Sequence, residues 1–264
     1  MIIRKTPEEI DQIGAAGRVL ARTLAMLKRK ARPGVTTADL DAAAEKFIRS
    51  QGGEPAFLGY RGFPGSICAS PNSMVVHGIP GGYKLSRGDI LSIDVGVILD
   101  GWVADAAITV GVGNVTPVAQ RLLTTTREAL FEGLEQCRAG NRLGDVSHAI
   151  QQRVEADGFS VIRALVGHGI GRDMHEDPQI PNFGNPGTGP LLGEGMVLAI
   201  EPMVNVGAPP IRVGDDNWSV YSQDGSLAAH FEHTVAITAD GPRIMTPWHL
   251  EDAMKGAPAT AGAA

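Results

Sequence analysis

Residues 89–111, DILSIDVGVILDGWVADAAITVG, restrict the fold of this chain more than any other stretch, because two acids stand inside what otherwise reads as two apolar strands. Asp100-Gly101 at the middle is a strong signal for a two-residue hairpin turn. A turn there pairs Ile90 to Leu99 with Trp102 to Val110, sets Val97 to Leu99 against Trp102 to Ala104, and puts Asp94 opposite Ala107. Side chains alternate faces along a strand, so Asp105 shares a face with Asp94. Unless that face is open to water, the two carboxylates must take up protons or hold a cation between them, since an unpaired buried ion is costly.

The same anomaly recurs at Glu201 in MVLAIEPMVNV and at Glu232 in AAHFEHTVAIT, each a single acid in an apolar run. Taken alone, Glu201 could end a strand beside Pro202 and Glu232 could pair with His233; together the four acids suggest a cluster. His168, in ALVGHGIGRDMHEDP, is the natural fifth ligand, because the glycines on both sides allow close backbone approach. Four carboxylates balance two divalent ions, and oxygen ligands with one imidazole suit Mn²⁺, Fe²⁺, Co²⁺ or Zn²⁺. Cys68 and Cys137 form no CxxC pair, which excludes a thiolate zinc site and a disulfide framework. A water between two such ions loses its proton near neutral pH and attacks a polarised carbonyl, so the chemistry is hydrolysis. His77, in NSMVVHGIPGG, and His175 are candidates for substrate contact, at the leaving nitrogen and the scissile carbonyl respectively. His148 is expected at the surface, and His230, His233 and His249 behind the ligands or in solvent.

Helical spacing of Ile10, Ile13, Val19, Leu20, Leu24 and Leu27 after Thr6-Pro7-Glu8-Glu9 predicts a helix to Lys30. A second helix follows Thr37-Ala38-Asp39 and stops at Gly52-Gly53. A shift of 106 residues aligns Gly34 with Gly140, Asp39 with Asp145, Leu40 with Val146, Ala43 with Ala149, Ile48 with Val154 and Gly52 with Gly158. Two amphipathic helices can match by chance, but a true repeat implies two related halves around one shared site. Further strands are expected at Val197 to Val206 and His230 to Thr238, which makes an α+β protein with a largely antiparallel sheet. A net charge of −6 argues against nucleic-acid binding, DNA included. The absence of a signal peptide or an apolar stretch of ~18 residues points to the cytosol and away from membranes.

SIDVG with Asp94, ADAAITV with Asp105, GHGIGRDMHEDP with His168 and His175, IEPMVN with Glu201, FEHTVAIT with Glu232 and VVHGIP with His77 together resemble type I methionine aminopeptidases of peptidase family M24, in their compact bacterial form. The resemblance runs from about Ile3 to Thr246. It implies a pita-bread fold with two pseudo-symmetric halves, about residues 1–113 and 114–250, forming one catalytic domain of residues 1–250; residues 255–264 are expected to be a flexible tail. It also implies a dinuclear metal centre in which Asp94 chelates one ion, Asp105 and Glu232 bridge both, and His168 and Glu201 complete the other. Glu201 is then the proton shuttle, and His77 and His175 contact the substrate. The methionine pocket is lined by Tyr60, Cys68 and Trp218 together with Phe57 and Met174.

This sequence departs from the family at Phe57, where cysteine is common, at Met174, where an aromatic residue is frequent, and at Gly96, where threonine is frequent. The implied activity is removal of the initiator methionine from nascent chains by a cytoplasmic monomer when the second residue is small. Lys28-Arg29-Lys30 with Arg32 could touch the ribosome transiently, although a solvated helix end is the expected reading. The rivals are a proline-specific peptidase on the same fold, whose members usually carry an extra N-terminal domain, and a metal-free binding protein, which the intact ligand set opposes.

Overall fold

The computed structural model describes residues 1–250, so the expected tail at 255–264 lies outside the described residues. Thr6 caps the first helix, α1 (Pro7–Lys30), through a reciprocal pair: its hydroxyl accepts from Glu9 N, and Glu9 Oε2 accepts from Thr6 N. The basic run Lys28-Arg29-Lys30 fills the last turn, where positive charge faces the unpaired carbonyls. Residues Ile13, Leu20, Leu24 and Leu27 are fully buried on the face turned to the sheet. Helix α2 (Thr37–Ser50) repeats the cap with Thr36 and Asp39.

In the first half, β1 (Glu54–Pro55), β2 (Cys68–Pro71), β3 (Met74–Val76), β4 (Ile90–Leu99) and β5 (Trp102–Gly111) follow. The second half contains α3 (Pro117–Glu135), α4 (Leu143–Ala156), β6 (Ser160–Val161), β7 (Val166–Gly169), β8 (Glu176–Pro181), β9 (Val197–Ile200) and β10 (Met203–Asn205). The last strands are β11 (Ile211–Val213), β12 (Val220–Ser222), β13 (Ala228–His230), β14 (His233–Thr238) and β15 (Gly241–Ile244). They form four sheets: β1 and β2 both on β4 with β5 beside it, β13-β10-β6, β11-β12-β3, and β15-β14-β9-β7-β8. Every pairing among the described residues is antiparallel.

The 106-residue repeat is structural. The shift takes the bounds of α2 to those of α4 and of β1 to those of β6, and it aligns the buried positions Leu40, Ala44 and Ile48 with Val146, Ile150 and Val154. Gly34 and Gly140 both take positive φ, +93° and +95°, as do Gly52 and Gly158, +80° and +77°. Asp145 accepts from Arg142 N as Asp39 does from Thr36 N.

The hairpin has the expected register, Asp94 opposite Ala107 and Gly96 opposite Asp105, with Asp100 and Gly101 at φ +51° and +74°. The two other strands are not continuous. Each breaks at its acid: Glu201-Pro202 separates β9 from β10, and Phe231-Glu232 separates β13 from β14. Pro202 has no N–H for a ladder, and Glu232 N leaves its own sheet to donate to Ala107 O at 2.9 Å. The halves are further joined by Thr234, whose hydroxyl donates to Asp105 O at 2.7 Å and accepts from Asp105 N at 3.0 Å. Thr109 makes the same double contact with the backbone of His230. Edge strand β5 is thereby bonded to the second half at the point where both acidic breaks occur.

Candidate active site

The breaks and the hairpin turn their acids into one cavity of about 160 Å³, lined by Asp94, Asp105, His168, Glu201 and Glu232 together with His77, His175, Phe57, Tyr60, Cys68 and Trp218. A larger hollow of about 440 Å³, where α1 and α3 meet β5, has no acid or histidine in its lining. Asp105, His168 and Glu232 each present a ligand atom within 4.8 Å of the others. The Nε2 of His168 stands 3.6 Å from Glu201 Oε1 and 3.9 Å from Asp105 Oδ2.

Burial pushes all four carboxyls up: Asp94 to about 7, and Asp105, Glu201 and Glu232 well above the carboxylate range, with the neighbouring acids adding to the effect on these three. Asp94 Oδ1, Asp105 Oδ1 and Glu232 Oε1 have no hydrogen-bond partner, and no Lys or Arg forms an ion pair with the four acids among the described residues. The imidazole of His168 is held neutral by burial, and its Nδ1 donates to Gly169 O at 2.9 Å. That bond leaves a lone pair on Nε2, aimed at two carboxylate oxygens. Such acids and a lone pair facing one another in a buried cavity repel unless protons or a cation lie among them, and four oxygen donors with one imidazole fit a divalent metal.

Across the cavity the wall is largely apolar. Phe63, which the sequence did not single out, packs edge-on against Trp218 at 5.1 Å. The Cys68 thiol is pushed up by burial and by the nearby acids, so it lines the cavity as a neutral group. Tyr60 Oη lies 2.9 Å from His175 Nδ1, and the His175 ring lies 4.3 Å from that of His168, tilted by 41°. Burial lowers His175 to about 4 and also lowers His77, so both are neutral imidazoles. His77 has φ +59°, an uncommon conformation for a side chain with a Cβ, at the point where the chain turns into the cavity.

Met174 is buried beside the cavity rather than on its wall. A Cβ at Gly96 would stand 2.8 Å from Met174 Cε, 2.8 Å from Phe57 Cε1 and 2.9 Å from Ala56 Cβ. Gly96, Phe57 and Met174 thus form one packing unit. Lys5 and Glu176 form a buried ion pair that no local sequence pattern marks. Glu176 also accepts from Arg172 N at 3.0 Å, which ties down the loop that carries Met174 and His175. His230 and His233 are buried, not in solvent.

The model of metallopeptidase family M24 matches residues 11–239, and the chain belongs to that family. Membership implies a divalent metal, consistent with the donor set above. The methionine aminopeptidase of Clostridium perfringens is 55% identical over 246 residues, 93% of this chain and 99% of that protein. The crystal structure of methionine aminopeptidase from Rickettsia prowazekii matches with a TM-score of 0.92 at 44% identity, covering 93% of this chain and all of that one. The expected α+β pita-bread fold and the family resemblance are both borne out. Prolidase from Pyrococcus furiosus shares the fold with a TM-score of 0.75 at 23% identity, over 92% of this chain and 65% of that one.

Proposed function

We propose that this protein removes the N-terminal methionine from peptides and nascent proteins whose second residue is small. The observation that carries this is the cavity itself: four acids and a neutral imidazole acceptor on one side, and an apolar wall on the other. Asp94, Asp105, His168, Glu201 and Glu232 are the metal ligands. Two divalent ions would balance the charge of the four carboxylates and would be held by Asp94, Asp105, His168, Glu201 and Glu232; Mn²⁺, Fe²⁺, Co²⁺ and Zn²⁺ all suit such ligands. When bound, the metal supplies Lewis acidity and lowers the pKa of water.

Glu201 takes the proton of the attacking water and returns it to the leaving nitrogen, a task suited to a carboxyl whose proton affinity burial has raised. Tyr60 O–H donating to His175 Nδ1 leaves the proton of that imidazole on Nε2, free to donate to the scissile carbonyl. His77 donates at the leaving nitrogen. Phe57, Tyr60, Cys68 and Trp218 surround the thioether, with Met174 behind them; soft sulfur and aromatic contacts suit it. The free α-amino group of the substrate lies against the acids.

Residues 1–250 act as one catalytic domain, since the ligands come from both halves, 1–113 and 114–250. The protein works as a cytoplasmic monomer. Lys28 to Lys30 and Arg32 form a solvated helix end, where charge complements the carbonyls of α1, rather than a ribosome contact.

The test is to strip the protein of metal, restore Mn²⁺ or Co²⁺, and follow Met-Ala-Ser, Met-Leu-Ser and Ala-Pro-Ala by mass spectrometry. Metal-dependent release of methionine from the first peptide and little from the second is the expected result. Cleavage of Ala-Pro-Ala instead would transfer the function to a proline-specific peptidase, and no cleavage with any metal would overturn the enzymatic role.

A further inference from the structure

His230 is the buried titratable group that the proposed chemistry leaves without a task. It ends β13 at 2% exposure, and Thr109 clamps its backbone to the hairpin: His230 N donates to Thr109 Oγ1 at 2.9 Å, and the same hydroxyl donates to His230 O at 2.8 Å. Neither ring nitrogen has a hydrogen-bond partner among the described residues. The Nε2 faces two carboxylates, 3.6 Å from Glu201 Oε2 and 3.8 Å from Glu232 Oε2.

Glu201 therefore stands between two imidazoles, one at each oxygen. On the Oε1 side, His168 has its proton committed to Gly169 O and presents a lone pair. On the Oε2 side, the His230 ring has no other hydrogen-bond partner, and its Nε2 faces Glu201 Oε2 and Glu232 Oε2; once these acids are ionised as metal ligands, their oxygens accept and do not donate. A buried neutral imidazole that must choose a tautomer there puts its hydrogen on Nε2, since an unpaired donor costs more than an idle lone pair.

We propose that His230 is a positioning residue for Glu201, donating from Nε2–H to Oε2 so that Oε1 is the oxygen turned toward His168 and the metal, a role that rests on the aminopeptidase function proposed above. A shift of roughly 0.5 Å, within reach of a glutamate side chain, brings the 3.6 Å separation to N–H···O length. Because the backbone of His230 is tied to Thr109 on β5, Glu201 is oriented from the same hairpin that supplies Asp94 and Asp105.

Two variants separate the donor from the packing. His230→Gln keeps an N–H near the position of Nε2, and His230→Leu removes it while keeping apolar bulk. In His230→Leu, kcat on Met-Ala-Ser with Mn²⁺ should fall about 10–100-fold with KM little changed, and Mn²⁺ affinity of the stripped protein, read by isothermal titration calorimetry, should weaken within a similar range. His230→Gln should recover most of both. In the Zn²⁺-loaded wild type, ¹⁵N NMR of the imidazoles should find His230 protonated at Nε2 and His168 at Nδ1.

A leucine variant indistinguishable from wild type, a glutamine variant as impaired as leucine, or a His230 proton on Nδ1 would each overturn the proposal. If the leucine variant does not fold, the glutamine variant and the tautomer still decide. A wild type that releases no methionine would overturn the aminopeptidase function instead, while metal affinity and tautomer continue to report on His230.

Discussion

Stripped of metal, the protein should gain stability at neutral pH when Asp94 is replaced by asparagine. The Asp94 carboxyl ionises near 3.8 in an unfolded chain and at about 7 in the fold, because burial disfavours its charged form. The folded state therefore binds the proton more tightly, and the stability from this group is fully present below the unfolded value and lost as pH rises from about 4 through about 7. At ~1.36 kcal/mol for each tenfold change in proton affinity, the loss approaches ~4 kcal/mol. Asp94 is only half-buried at the cavity wall, so water there screens it and about 2–4 kcal/mol is the expected range. For a chain of this size that corresponds to a Tm difference of roughly 4–16 °C.

The assay is differential scanning calorimetry of chelator-treated wild type and Asp94→Asn at pH 4, 6 and 8. The two should melt together at pH 4, and the variant should melt higher at pH 8. Mn²⁺ should reverse that order, because asparagine is the poorer ligand. A metal-free variant no more stable than wild type at pH 8 would refute the claim that this carboxylate is buried without a compensating charge.

Three other outcomes follow from the geometry. Thr234→Val leaves the N–H and C=O of Asp105 unpaired in the interior and should cost about 2–4 kcal/mol of stability, measured by urea denaturation of the metal-loaded protein. Gly96→Thr should be destabilising by about 1–3 kcal/mol and should raise KM for methionine peptides, because Met174 and Phe57 occupy the space a side chain needs; Met174→Ala in the same chain should restore much of both, and simple additivity would show that the positions are independent. His175→Ala should lower kcat/KM about 10²–10⁴-fold with metal content unchanged by elemental analysis, and lost metal would make it a ligand.

Much of the site was legible one residue at a time, because its chemistry conflicts with its local surroundings. Asp94, Asp105, Glu201 and Glu232 are acids in apolar runs, and the Asp100-Gly101 turn sets the register of the first pair. The caps of α1 and α2, and the glycines that repeat at a spacing of 106, are likewise local signals, since each concerns groups within one turn of the backbone.

What the sequence could not decide depends on partners distant in the chain. Pattern alone made Val197 to Val206 and His230 to Thr238 continuous strands; the breaks arise because Glu232 N finds Ala107 O, a group 125 positions away, in place of its own sheet. Lys5 and Glu176, Gly96 with Phe57 and Met174, and His230 between Glu201 and Glu232 carry no mark in their own neighbourhoods. The sequence by itself determined which residues could not be buried without a proton or a cation, because solvation cost is a property of the residue and its apolar flanks. Only the tertiary structure decided which oxygen faces which imidazole, because that depends on two halves of the chain closing on one another through β5.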